Sequence, residues 1–152
     1  MSEEVSLSNR QKRVPINTRK IRRAAEKILG ALDFQGYELS VVIVDDSEIT
    51  QLNRRYFHRS RPTNVISFPM AAEGPVALRS KVLGDVVISA ETARRQAGEA
   101  GGKGEEEILF LLIHGILHLA GYDHEGPAGE RRKMEAKEKE LFSLLMRSSR
   151  RK

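Results

Sequence analysis

The 152 residues include no cysteine. That excludes disulfide staples and any metal site closed by thiolates. Long hydrophobic runs are missing as well: the longest, Ile108 to Ile113, falls far short of the roughly 20 residues that a bilayer-spanning helix needs. The start, Met1-Ser2-Glu3-Glu4, has neither the basic nor the apolar region of a secretory signal. No linker or repeat divides the chain, and its length suits one domain with a core large enough to fold unaided. The expectation is a single domain over residues 1–146 with a disordered basic tail at 147–152, located in the cytoplasm and without a membrane partner. A monomer is the default, because no exposed heptad offers a coiled-coil seam.

Acidic residues are in the minority, 21 against 26 Lys and Arg, which gives a net charge of +5 and a pI near 9.7. That balance points to a polyanionic partner. The basic residues are bunched: Arg10 to Arg23 hold seven, Arg54, Arg55, Arg59 and Arg61 form a middle group, and Arg147, Arg150, Arg151 and Lys152 close the chain. The middle group is either a solvated helix end or a phosphate contact.

Hydrophobic periodicity lays out the elements. Val5 and Leu7 alternate with polar residues as in a strand. Asn17 can cap a helix over 18–32, where Ile21, Ala24, Ala25, Ile28, Leu29 and Leu32 recur at the helical period. Leu39 to Val44 is a β-branched strand. Asp46 or Ser47 caps a second helix that buries Ile49, Leu52, Tyr56 and Phe57 and ends in the polar stretch from His58 to Pro62, with His58 an exposed loop residue. Strands follow at 64–70 and 84–89, joined by a 71–83 loop long enough to serve as a flap. Three helices complete the chain: Ala90 to Ala97; a nearly all-apolar one from the Glu105-Glu106-Glu107 run to Ala120; and a last one entered at Pro127. This order argues an α+β domain with the apolar helix at its centre.

Three of the four histidines fall within eleven residues, His114, His118 and His124. Residues four apart share a helix face and lie about 6 Å apart along the axis, so two imidazoles can reach one ion. Gly121 supplies the left-handed turn that ends the helix and lets His124 come round. An (i, i+4) pair also arises by chance in long helices, but three histidines about a glycine turn on a packed element favour ligation. Three nitrogen donors suit Zn2+ or another late first-row ion and leave a fourth position for water, the arrangement of a hydrolytic site.

The His-x3-His-x2-Gly-x2-His spacing is shared with metzincin proteases, which take their general base from a glutamate after the first histidine. Here that position is Gly115. A peptidase would need another base, with Asp85, Glu91 and Asp123 the carboxylates nearest in the motifs. Asp123 either orients a ligand histidine or caps the turn, and Asp85 can serve turn geometry alone.

A wider set of residues resembles the bacterial YbeY-type metal-dependent endoribonucleases. It comprises Asn9-Arg10-Gln11-Lys12, Leu52-Asn53-Arg54-Arg55-Tyr56, Pro62 to Pro69 (PTNVISFP), Leu83 to Ser89 (LGDVVIS) and the block from His114 to His124 (HGILHLAGYDH). The resemblance implies a four-stranded mixed sheet packed with about five helices, the metal site lying at the C-terminal end of a buried central helix. It implies one Zn2+ per chain held by His114, His118 and His124, and cleavage of single-stranded RNA. It further implies partners in ribosomal RNA and the small ribosomal subunit, with roles in 3′-end maturation and ribosome quality control. One departure is Phe57, which stands where the family often has an arginine after the tyrosine. Arg59 or Arg61 can supply that charge, so Arg55, Arg59 and Arg61 are the candidate nucleic-acid contacts. No residue is assigned as catalytic acid or base. Two other readings stay open: a metzincin-like peptidase without the usual glutamate, and a ribosome-associated RNA-binding protein with a structural metal.

Overall fold

In the computed structural model, which describes residues 4–69, 81–122 and 128–150 apart from the side chains of 148–150, the element order follows the hydrophobic pattern. It runs β1 (Val5–Asn9), α1 (Thr18–Ala31), β2 (Glu38–Val44), α2 (Asp46–Phe57), β3 (Val65–Pro69), β4 (Val82–Ser89), α3 (Ala90–Glu99), α4 (Gly104–Leu119) and α5 (Ala128–Arg150). Most of the expected flap, His124, Asp123 and Pro127 lie outside the described residues. The backbone of α5 continues through the first basic residues of the tail as far as Arg150.

The strands form one mixed sheet in the order β1-β2-β4-β3. β1 pairs parallel with β2 and β2 with β4, and β3 runs antiparallel along β4 as an edge strand. Alternation along the strands divides the sheet's two faces. Val41, Ile43, Val86 and Ile88 join α1, α4 and α5 in the larger core. Val42, Val44, Ile66, Val87 and Phe68 turn the other way, toward Ile49 and Leu52 of α2. At Gly84 the backbone takes φ +143°, and an added Cβ would stand 2.4 Å from the carbonyl oxygen of Phe68. Only glycine lets β4 approach β3 there.

α4 is the central helix. Eight of its residues are buried, among them Leu112, Ile113, Ile116 and Leu117 at 0% exposure. Each such side chain contributes about 1.5–3 kcal/mol of burial free energy, so α4 is held by packing more than by helix propensity. Its end is a Schellman turn. Gly121 N–H donates to the His118 carbonyl (3.1 Å) and Tyr122 N–H to that of Leu117 (3.0 Å), with Gly121 at φ +101°.

Two expectations about α2 are corrected. Its N-cap is Asp45, whose carboxylate accepts from Glu48 N–H at 2.9 Å. Asp46, one residue on, instead receives the hydroxyls of Ser89 (2.7 Å) and Thr92 (2.6 Å) and pairs with Arg95 at 3.1 Å, tying α2 to α3. At the far end Tyr56 and Phe57 are not buried. They are 52% and 48% exposed, and both rings lean on Phe68 of the edge strand β3.

A candidate metal centre on the central helix

His114 and His118 sit one turn apart near the C-terminal end of α4, their ring centroids 4.8 Å from each other and their planes at 73°. Both are partly exposed, on a helix with eight of its 16 residues buried. Gly115, between them in sequence, packs against the sheet. A Cβ at Gly115 would stand 2.7 Å from Cγ1 of Val86 and 3.2 Å from Oγ of Ser67. Ser67 Oγ also donates to the Gly115 carbonyl at 2.9 Å, fastening α4 to β3. A glutamate at this position has no room, which removes the metzincin base on steric as well as sequence grounds.

Nδ1 of His114 lies 2.6 Å from Oε2 of Glu138 on α5. Glu138 is 8% exposed, yet it sits on the same stripe as Met134, Leu141 and Leu145, all buried. A carboxylate oxygen accepts, so the imidazole carries a proton at Nδ1 toward Glu138. That is the tautomer a ligand histidine needs when it binds through Nε2. Glu138 was missed in the sequence; the available signal was a glutamate at 4-3-4 spacing among the apolar residues of the last helix.

The donor set fits a late first-row ion. Imidazole nitrogens at helical spacing, one with its second nitrogen already hydrogen-bonded to a carboxylate, are the chemistry of zinc sites. Among the described residues no group of three possible ligands comes together. His124 would be the third, and it lies outside them.

The other candidates fall elsewhere. Asp85 is exposed and shares the α2 side of β4 with Val87, opposite the face that α4 covers. Glu91 takes the backbone N–H of Asp46 at 2.8 Å and faces Arg13 at 3.5 Å, a structural role. Arg55, Arg59 and Arg61 are exposed around the end of α2. The guanidinium of Arg55 lies 5.6 Å from the centre of the Tyr56 ring. Buried Asn53 holds the segment that carries the other two: its Nδ2 donates to the Arg61 carbonyl at 2.9 Å, and its carbonyl accepts from Arg59 N–H at 3.3 Å. The turn between them is made by His58, exposed as expected, in the left-handed region at φ 58°. The structure thus places the arginines on the far side of the edge strand from the histidines.

Within α2's anchor, burial alone would raise the Asp46 carboxyl, but the hydroxyls of Thr92 and Ser89 and the Arg95 guanidinium outweigh it and hold the group below its ordinary value. Glu107, half-sunk in the first turn of α4, is pushed upward by burial.

Residues 6–146 match the family described as Endoribonuclease YbeY. The Endoribonuclease YbeY of Geobacter metallireducens is 52% identical over 145 residues, covering 95% of this chain and 97% of the relative. That of Geobacter sulfurreducens is 54% identical over 143 residues, with coverage of 93% and 95%. The solution structure of a Thermotoga maritima protein resembles this fold with a TM-score of 0.67 at 27% identity, covering 96% of this chain and 91% of that one. With its four-stranded mixed sheet and a histidine pair on the central helix, the chain belongs to the YbeY family of endoribonucleases.

Proposed function

We propose that this chain is a metal-dependent endoribonuclease that cuts single-stranded RNA, with His114, His118 and His124 holding one ion per chain. Zinc suits the all-imidazole donor set. The observation that carries this reading is the 2.6 Å contact between His114 Nδ1 and buried Glu138, since an isolated surface histidine needs no such partner. When bound, the ion would supply a Lewis acid beside the scissile phosphate and lower the pKa of water.

The protein's own groups do the rest. Glu138 fixes the His114 ring and tautomer. Gly115 and Ser67 lock the histidine-bearing turn to the sheet, so the site rests on a rigid element. Arg55, Arg59 and Arg61 contact phosphates and hold the strand in register, a role that favours guanidinium over ammonium groups. The substrate we assign is the 3′ region of small-subunit ribosomal RNA, in maturation and in ribosome quality control, and the setting is the cytoplasm. Family membership and the net charge of +5 support this assignment.

Incubation of the purified protein with single-stranded RNA, duplex RNA and unfolded polypeptide, with and without chelator and beside His118→Ala, tests the reading. Chelator-sensitive cutting of single strands, lost in the variant, is expected. Cutting that survives both treatments would refute it, as would RNA binding without turnover when zinc is supplied.

A further inference from the structure

Tyr56 and Phe57 are the large hydrophobic residues that the described part of the fold leaves exposed, at 52% and 48%. Both rings lean on Phe68: Tyr56 edge-on with centroids 5.1 Å apart, Phe57 tilted at 6.4 Å. Four exposed arginines, Arg54, Arg55, Arg59 and Arg61, lie in the same segment at the end of α2, the Arg55 guanidinium 5.6 Å from the centre of the Tyr56 ring, and among the described residues none is within ion-pair reach of a carboxylate. Aromatic faces beside guanidiniums without carboxylate partners, on a chain of net charge +5, suit a polyanion that carries flat bases.

The location adds to this. Phe68 and Ser67 are neighbours on β3 pointing to opposite faces. Phe68 carries the aromatic pair, and Ser67 hydrogen-bonds to Gly115, the residue next to His114. The aromatic pair and the Gly115 turn thus pack on opposite faces of the same edge strand. Asp85, in register with Phe68 on β4, is exposed on the aromatic side.

We infer that Tyr56 and Phe57, backed by Phe68, form a stacking shelf for unpaired bases of an RNA strand that crosses the edge of β3 toward His114 and His118. The inference rests on the RNA reading above and gives it a source of strand selectivity: bases in a duplex already cover one another and cannot use the shelf. Arg54, Arg55, Arg59 and Arg61 hold the phosphates on either side.

The test is fluorescence anisotropy of a labelled single-stranded oligoribonucleotide in the presence of chelator, so that binding is read without cleavage. A strand of the same length made of abasic sites and an RNA duplex serve as companion probes. Tyr56→Ala and Phe57→Ala should each weaken binding of the base-bearing single strand by roughly 5- to 150-fold and leave the abasic strand unaffected. Phe57→Trp should keep the affinity. Arg59→Ala should weaken both single strands and flatten the salt dependence. Thermal melts confirm that the variants are folded, which their exposed positions favour. Folded alanine variants that bind the base-bearing strand as the wild type does overturn the shelf, and cutting of RNA by those variants then leaves the nuclease reading standing. Equal loss on the abasic strand also overturns it. Wild-type protein that binds no RNA in this assay and cuts none when zinc is supplied removes the nuclease reading itself.

Discussion

Replacing Glu138 by leucine removes the acceptor beneath His114 while roughly filling the same space. The contact is 2.6 Å long between side chains that are 22% and 11% exposed, so water screens it little. Hydrogen bonds to a charged group contribute about 1.5–3 kcal/mol. Without Glu138, the carboxylate that holds the proton on Nδ1 is gone. Carboxylates that orient ligand histidines are worth about 10–100-fold in metal affinity, or roughly 1.4–2.8 kcal/mol. Glu138→Leu should therefore weaken zinc binding by that factor. Glu138→Gln, which keeps an acceptor oxygen and loses the charge, should fall between the variant and the wild type. Zinc titration against a chelating indicator measures the affinity, and long-range proton–nitrogen NMR of the metal-free protein reports which His114 nitrogen carries the proton. A melting curve without metal separates lost affinity from lost fold. If Glu138→Leu is folded and binds zinc as tightly as the wild type, with the His114 proton still on Nδ1, the reasoning fails.

Gly115→Ala places a methyl 2.7 Å from Val86 Cγ1; overpacking of about 1–3 kcal/mol should exceed the roughly 0.5–1 kcal/mol gained in helix propensity and lower the urea midpoint. A raised midpoint would show that α4 can slide off the sheet at no cost. Gly121→Ala meets no neighbour within 4 Å, so its penalty is conformational, about 1–2 kcal/mol at φ +101°. It should also weaken zinc binding, because this turn leads to His124; unchanged affinity would separate the turn from the site. Asp46 has a lowered pKa in the fold, so its stabilising effect is full at neutral pH and fades as the pH drops below the ordinary 3.8 toward the folded value. Asp46→Asn should cost about 1–3 kcal/mol at pH 7 in urea melts, and the gap should close in acid; a pH-independent gap would rule out the charge as its source.

Much of the site's local chemistry was legible in the residues. The (i, i+4) histidines lie on one helix because α4 is apolar enough to fold as one, and Gly121 ends it because no other residue takes φ +101° so readily. The Asn17 cap and the α1 stripe were legible for the same reason: they depend on neighbours within a turn or two. Tyr56 and Phe57 were misplaced because periodicity assigns a residue to a helix face and cannot say whether the sheet extends beneath that face. Asp85 was a carboxylate a peptidase reading could propose as its base, and strand alternation put it on the face opposite α4.

The sequence by itself determined which side chains can bind a metal ion, how they are spaced along a helix and where that helix stops, since these follow from backbone geometry over a few residues. Only the tertiary structure decided that Glu138, 24 residues from His114, is its partner, and that Gly115 has no room for a side chain. Both depend on how α5 and the sheet dock against α4. That docking is set by packing between residues distant in the chain, which no local pattern encodes.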